Sequence, residues 1–267
     1  MTVRNGGAFD GAIAVLGGVY SNHVALLAAL HDARLRGAER FFCLGDLGGF
    51  GPNPGLVYPI LEEFGVETIA GNYDRSLAER MADCGCGYTH PADNEFARRS
   101  YDYTNRRTTD GERAWLQALP GGLRLTRGGR RWLLCHGSPR RINEFLWESS
   151  TSDPFLARVL REAEADQVLC THTGLHWQRP LPGGARLVNV GAVGRPANDG
   201  RPEVWYAYFA AASEEAEFVP VRYDHESLAR EMEAEGLPPE FAETIRTGWW
   251  TTCLEILPAK ERARGIH

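Results

Sequence analysis

Short apolar runs alternate with longer segments of helical spacing along the first third of the chain. Residues 12–16 (AIAVL), 41–44 (FFCL) and 66–70 (VETIA) each stop at a glycine: Gly17, Gly45 and Gly71. Runs of this length bounded by Gly read as buried strands. Between them, residues 23–35 carry Leu26, Leu27, Leu30 and Leu35 on one helical face, and residues 55–64 carry Leu56, Ile60, Leu61 and Phe64. Strand–helix alternation of this kind predicts parallel strands joined by crossover helices, an α/β fold.

The pattern then changes. Residues 75–120 read as largely helical, with a Cys/Gly loop at about 83–93 and a helix capped by Thr109 or Asp110. A hairpin follows: 123–125, a turn at Gly128 and Gly129, and 131–135 running into His136-Gly137-Ser138-Pro139. A helix over 154–165 precedes a strand at 167–170, which ends in Thr171-His172-Thr173-Gly174. Further strands are expected at 177–179, 186–190, 203–210 and 217–222, with Asn198-Asp199-Gly200 as a hairpin turn. From Asp224 onward the chain reads as helical, with Pro238 and Pro239 opening a second helix.

A chain of 267 residues with 43% hydrophobic content can bury a sizeable core. The reading is one domain over 12–267, preceded by a polar, Gly-rich and disordered 1–11, with an insertion at about 75–120 and a helical segment at about 224–267. A net charge of −6 gives no electrostatic reason for nucleic-acid or membrane-surface binding. No apolar run approaches the roughly 18 residues of a membrane span, and the first residues lack a signal peptide's apolar stretch, so a cytoplasmic location is expected. Of six cysteines, Cys43, Cys135 and Cys170 end apolar runs and read as small buried hydrophobes. Cys84-Gly85-Cys86, near His90 and Asp93, has too short a spacer for a usual structural zinc site.

Chemistry gathers where strands end. Asp46, Asn72, His136 and His172 all follow apolar strands, and all have Gly or Thr as neighbours. In open α/β sheets these positions face the ligand crevice. Two imidazoles, a carboxylate and an amide oxygen suit a first-row divalent ion such as Mn, Fe, Zn or Co. Arg140, Arg141 and Arg195 follow Gly- or Pro-containing turns and are available to position a phosphate.

On these residues the chain resembles the calcineurin-like metallophosphoesterases of the small bacterial branch, from about residue 12 to 248. The family's Gly-Asp motif matches Gly45-Asp46, and its Gly-Asn-His-Asp motif matches Gly71-Asn72-Tyr73-Asp74. The His-Gly-Ser-Pro motif stands unchanged at His136–Pro139. Gly-His-Thr-His matches Thr171-His172-Thr173-Gly174, and Gly-Ser-x-Gly matches Gly191-Ala192-Val193-Gly194. The resemblance implies a four-layer sandwich, two mixed β-sheets flanked by helices, with two metals bridged by Asp46 at one edge. It carries over the second-metal set intact: Asp46, Asn72, His136 and His172. The first-metal set is lost. The family's opening Asp-x-His-Gly-Asn falls on Gly18-Val19-Tyr20-Ser21-Asn22, where only Asn22 matches, and its last His falls on Gly174. The histidine expected at the transition state is Tyr73.

The expectation is therefore one ion, with a second only if His176 or Tyr20 supplies a substitute ligand. His176 lies two residues past Gly174, about 6–7 Å along a strand. Tyr20 is a phenol with a reference pKa of about 10. Asn22, Tyr73, Asp74 and Arg195 are the other candidate catalytic residues, with Asp74 expected to orient His136 or His172. The implied activity is hydrolysis of a phosphate diester or monoester in a small phosphate-containing molecule. The alternative is a catalytically impaired relative that binds a metal, phosphate or nucleotide as a sensor or scaffold. A third possibility is a first-site cavity, freed of its carboxylate, that admits another cofactor or an apolar group beside Tyr20 and Trp177.

Overall fold

A computed structural model describes residues 2–263; Met1 and residues 264–267, the end of the expected helical C-terminal segment, lie outside the described residues. Two sheets carry the fold. The first holds β2 (Ile13–Leu16), β3 (Arg40–Cys43), β4 (Glu67–Thr68), β10 (Val204–Phe209) and β11 (Glu217–Val221), in the order β11-β10-β2-β3-β4. The second holds β1 (Val3–Ala8), β5 (Gly122–Arg127), β6 (Arg130–Cys135), β7 (Gln167–Cys170), β8 (His176–Pro180) and β9 (Arg186–Val190), in the order β1-β5-β6-β7-β9-β8. Each sheet mixes parallel and antiparallel pairs: β2 pairs β3 parallel and β10 antiparallel, while β6 pairs β7 parallel and β5 antiparallel.

Strand alternation divides the core. Ile13, Val15, Phe42 and Leu44 meet Trp132, Leu134, Leu169 and Val188 between the sheets. Their neighbours Ala14, Leu16, Phe41 and Cys43 turn to α1 (His23–Leu35) and α2 (Val57–Glu63), and Leu133, Cys135, Val168 and Cys170 turn to α6 (Asp153–Glu162). Successive strand residues point to opposite faces, so strands apolar throughout require cover on both sides. The result is the expected helix–sheet–sheet–helix sandwich. Trp132 sits at its middle, fully buried and edge-on to Phe209 at 5.1 Å. Trp132→Ala should lower unfolding free energy by about 3–5 kcal/mol in urea denaturation.

Three expectations are corrected. Residues 3–8 are not disordered: β1 pairs in parallel with β5, which supplies the backbone partners that a polar, Gly-rich strand cannot obtain from side-chain burial. The buried face of α1 is Ala25, Leu26, Ala29, Leu30 and Ala33; Leu35 is 89% exposed and Leu27 38%. Small residues at i, i+4 and i+8 let the helix lie close to the sheet, and that outweighed leucine spacing. Asn198-Asp199-Gly200 is no hairpin turn, because the strands it joins, β9 and β10, lie in different sheets.

Between β4 and β5 lie α3 (Asn72–Ala78), α4 (Pro91–Arg107) and α5 (Asp110–Gln117), the last opened by a capping box of Thr109 and Glu112. The C-terminal helices are α7 (His225–Ala234), α8 (Pro239–Thr247) and α9 (Ala259–Ala263). Among the described residues no helix is long and apolar enough to cross a membrane.

Candidate metal centre

Asp46 lies past the end of β3, His136 directly past β6, His172 past β7, and Asn72 opens α3. Backbone conformation aims two of them. Asp46 (φ 56°) and His172 (φ 68°) are held in the left-handed region, which costs non-glycine residues roughly 1–3 kcal/mol and persists where surrounding contacts over-determine it. For Asp46 those contacts are visible. Asp74 Oδ2 accepts from Asp46 N (2.7 Å) and Gly71 N (2.8 Å), and Asp74 Oδ1 accepts from Leu47 N (2.9 Å). Asp46 O in turn accepts from Val19 N (2.9 Å) and Tyr20 N (3.1 Å). Gly71 must be glycine, since a Cβ there would overlap Asp46 Oδ1.

The donor atoms converge. Asp46 Oδ2 lies 3.1 Å from His136 Nε2, which lies 3.1 Å from His172 Nδ1. Two donors at about 2.1 Å from a shared ion and roughly 90° apart would be separated by about 3 Å. His136 Nδ1 donates to Leu44 O at 2.6 Å, so that tautomer leaves Nε2 as the lone-pair donor. Asn72 Nδ2 donates to Cys84 O at 2.9 Å, which fixes the amide and leaves Oδ1 buried without a partner. His172 turns Nδ1 to the cluster, so its buried Nε2 is the nitrogen that carries the proton. An orphaned buried acceptor in a site that also holds a carboxylate and two imidazoles fits a cation, because such a group is otherwise costly to bury.

Electrostatics agree. Burial opposes charge on Asp46, but the adjoining His136 imidazole and its hydrogen bond leave the carboxyl below its ordinary range. Burial likewise opposes charging His136, yet Asp46 raises it overall. His172 is pushed down to about 3 by burial and by His136, so its ring stays neutral and free to donate a lone pair. Burial and the Asp46 charge raise the Tyr20 phenol, which removes it as an anionic ligand near neutral pH.

Other expectations need correction. His176 is not in the one cluster of three or more His, Cys, Asp or Glu donors found among the described residues (Asp46, His136 and His172); its ring packs on Trp205 (4.4 Å) and Phe218 (4.8 Å). It opens β8 opposite Val190, the last residue of β9, and its ring turns to those aromatic neighbours instead of the donor cluster. Asp74 orients no imidazole: its oxygens take backbone N–H groups, and Leu44 O orients His136. Asn22 is a helix cap, accepting from Ala25 N (3.0 Å) and donating to Gly194 O (3.2 Å). Arg140 and Arg141 line a separate hollow with Arg75 and Glu79. Trp177 is buried in the α6 layer, its Nε1 donating to Leu146 O, and is not beside Tyr20. Cys84 and Cys86 form a disulfide and are not zinc ligands.

Tyr73 and Arg195 do line the cavity that Asp46 and His172 share. The Tyr73 hydroxyl is hydrogen-bonded with Thr104 Oγ1 (3.2 Å), and its backbone N–H donates to Asp46 Oδ1 (3.0 Å). Protein side chains fill the opposite half. A Cβ on Gly18 would overlap the Tyr20 ring, and one on Gly174 would lie 3.1 Å from the Trp250 ring. Trp250 was missed from the sequence. Its N–H donates to Asn198 Oδ1 (2.9 Å) and its Nε1 to Pro196 O (2.7 Å), links between distant segments that no local pattern announces. The one available signal was the Trp249-Trp250 pair directly after Gly248, the left-handed cap of α8.

Two mixed sheets between helices, with metal-type donors gathered at the strand ends, define the class as that of the metallophosphoesterases. The family model described as the calcineurin-like phosphoesterase superfamily domain matches residues 13–213. The chain belongs to that superfamily, one of hydrolytic phosphoesterases. An uncharacterised protein of Methanocaldococcus jannaschii is 24% identical over 252 residues, covering 88% of this chain and 98% of that one. A hypothetical protein of Pyrococcus horikoshii has a similar structure, with a TM-score of 0.75 at 22% identity, covering 89% of this chain and 98% of that one. So does a metallophosphoesterase of Sphaerobacter thermophilus, with a TM-score of 0.69 at 24% identity, covering 90% of this chain and 100% of that one.

Proposed function

We propose that this protein is a metal-dependent phosphoesterase working with one first-row divalent ion (Mn, Fe, Zn or Co) held by Asp46, Asn72, His136 and His172. Its substrate would be a phosphate diester or monoester in a small molecule, and its setting the cytoplasm. The observation that carries this reading is the convergence of Asp46, His136 and His172, whose ligand atoms lie within 4.8 Å of one another. When bound, such an ion polarises a phosphoryl oxygen and lowers the pKa of water.

The chain's own residues do the rest. Asp46 offers one oxygen to the ion while Tyr73 N holds the other. His136 keeps its lone pair inward through Leu44 O. Arg195 supplies a fixed positive charge on the cavity wall. Without a second ion to clamp the phosphoryl group, several powers of ten in rate are forgone relative to a two-metal site.

Gly18, Tyr20 and Gly174 favour a second reading, a catalytically impaired protein that binds a metal, phosphate or nucleotide as a sensor or scaffold. The group packed at Gly18 is the Tyr20 phenol, which burial keeps protonated, and at Gly174 it is the Trp250 ring, so neither place offers an anionic donor. Metal analysis with a Mn-supplemented assay on an aryl phosphodiester separates the two. The expected result is about one ion per chain and slow turnover that disappears in His136→Ala. Absence of turnover with every divalent ion would leave only the scaffold reading.

A further inference from the structure

Nine of the 22 residues that line the cavity shared by Asp46 and His172 are Phe, Tyr or Trp, among them Tyr20, Phe50, Tyr88, Phe145, Trp147 and Trp250. Phe145 stacks parallel on Trp147 (5.4 Å between centroids, 4° between planes) and lies 4.3 Å from the His172 ring. Flat apolar faces therefore run from the wall to a metal-type donor. Such faces favour another planar ring, with offset stacking adding to the gain from burial.

Arg195 is the one Lys or Arg lining this cavity among the described residues. It is 7% exposed. Its guanidinium carbon sits 3.9 Å from the Trp250 ring centroid and 5.1 Å from that of Phe50, and Nη2 donates to Thr252 O at 2.9 Å. Nε is buried without a partner; besides Thr252 O the side chain meets the Thr252 hydroxyl (3.4 Å) and the Cys253 thiol, which burial keeps neutral, and no carboxylate is paired with it among the described residues. Burying a cation is costly unless it is paired, and ring faces and a carbonyl satisfy it only in part. A guanidinium matches phosphate and carboxylate oxygens, so the missing partner is an anion entering the cavity.

The geometry points to a phosphate ester whose organic group carries a planar aromatic ring, the ring held among the aromatic walls and an anionic oxygen meeting Arg195. The head-group assignment rests on the phosphoesterase reading; the ring preference stands on the cavity walls. An enzyme for purely aliphatic phosphates would have no use for walls of this composition.

The test is calorimetric titration of the full Mn-supplemented chain with phenylphosphonate and with methylphosphonate, which share a head group that cannot be hydrolysed. Phenylphosphonate is expected to bind about tenfold tighter, with a change in tryptophan fluorescence. Arg195→Gln should weaken both ligands by about tenfold or more, and Trp250→Leu should narrow the gap between them. Equal affinities in the unaltered chain would overturn the proposal whatever the variants do. In a second arm AMP and ribose 5-phosphate compete with phenylphosphonate. A preference for AMP supports a nucleobase as the ring; equal competition alongside tight phenylphosphonate binding supports a simple aryl ring. Hydrolysis is scored separately. Turnover without ring preference keeps the function and removes this inference, and ring preference without turnover does the reverse.

Discussion

Asp46→Asn is expected to cost at least about three powers of ten in kcat/KM and to reduce bound metal to a small fraction of one ion per chain. The substitution keeps shape and volume, so the loss isolates charge. An amide oxygen can still accept from Tyr73 N, as Asp46 Oδ1 does at 3.0 Å, which preserves the local backbone. What disappears is the only carboxylate in the donor cluster, leaving two imidazoles and two amides. Neutral donors offset less of a divalent ion's desolvation than a carboxylate does, and the harder ions favour anionic oxygen. His136 should respond as well: Asp46 is what holds its pKa up against burial, so in the metal-free variant the imidazole should titrate lower. Elemental analysis reads the metal, steady-state kinetics the turnover, and NMR the imidazole. Retention of a full equivalent of metal would show that Asp46 is not a ligand.

The fold was legible because β2, β3, β6 and β7 are apolar at every buried position except Gln167, and a glycine or a candidate ligand follows each of them closely. Their hydrophobic runs gave existence and order, and the ligand motifs gave the site's edge. Three kinds of information were not local. The buried face of α1 is set by alanines whose value lies in close approach, which spacing of leucines does not reveal. The place of β1 depends on a pairing with β5 more than a hundred residues away. The cavity's far wall comes from residues 241–256, joined to the first turn of α4 by bonds such as Ile256 N to Asp93 Oδ2 at 3.0 Å. At the site itself, residue type foretold which donors converge better than which groups support them. Asp46, His136 and His172 come together as expected, whereas His176 and Asp74 turn to rings and backbone, because a ligand's direction depends on φ and register that composition does not encode.

Asp74→Ala should lower unfolding free energy by at least about 3 kcal/mol at pH 7 and abolish tight metal binding. Asp74 is wholly buried and accepts three backbone N–H groups, those of Asp46, Leu47 and Gly71. Removing it leaves three buried donors without partners, at roughly 1–3 kcal/mol each, only part of which water can recover. The same bonds hold Asp46 at φ 56°, so the variant should relax that residue and scatter the donor set even where the chain still folds. Asp74→Asn is the milder change: its oxygen can serve Asp46 N and Gly71 N, but its amide N–H faces the N–H of Leu47, so about 1–2 kcal/mol should be lost. pH separates clamp from charge. Burial and the neighbouring Asp46 push the Asp74 carboxyl up to about 6, against about 3.9 in an unfolded chain. The native state then binds more protons than the unfolded state between those values, so the part of its contribution tied to protonation is full below about pH 4 and is lost as pH rises through about 6, while the three N–H bonds remain. Asn does not titrate, so urea denaturation of the metal-free proteins at pH 4 and pH 7 should show the deficit of Asp74→Asn larger at pH 4. A deficit that grows towards pH 7 would mean that the ionised carboxylate, held by its three N–H bonds, is the favoured native form.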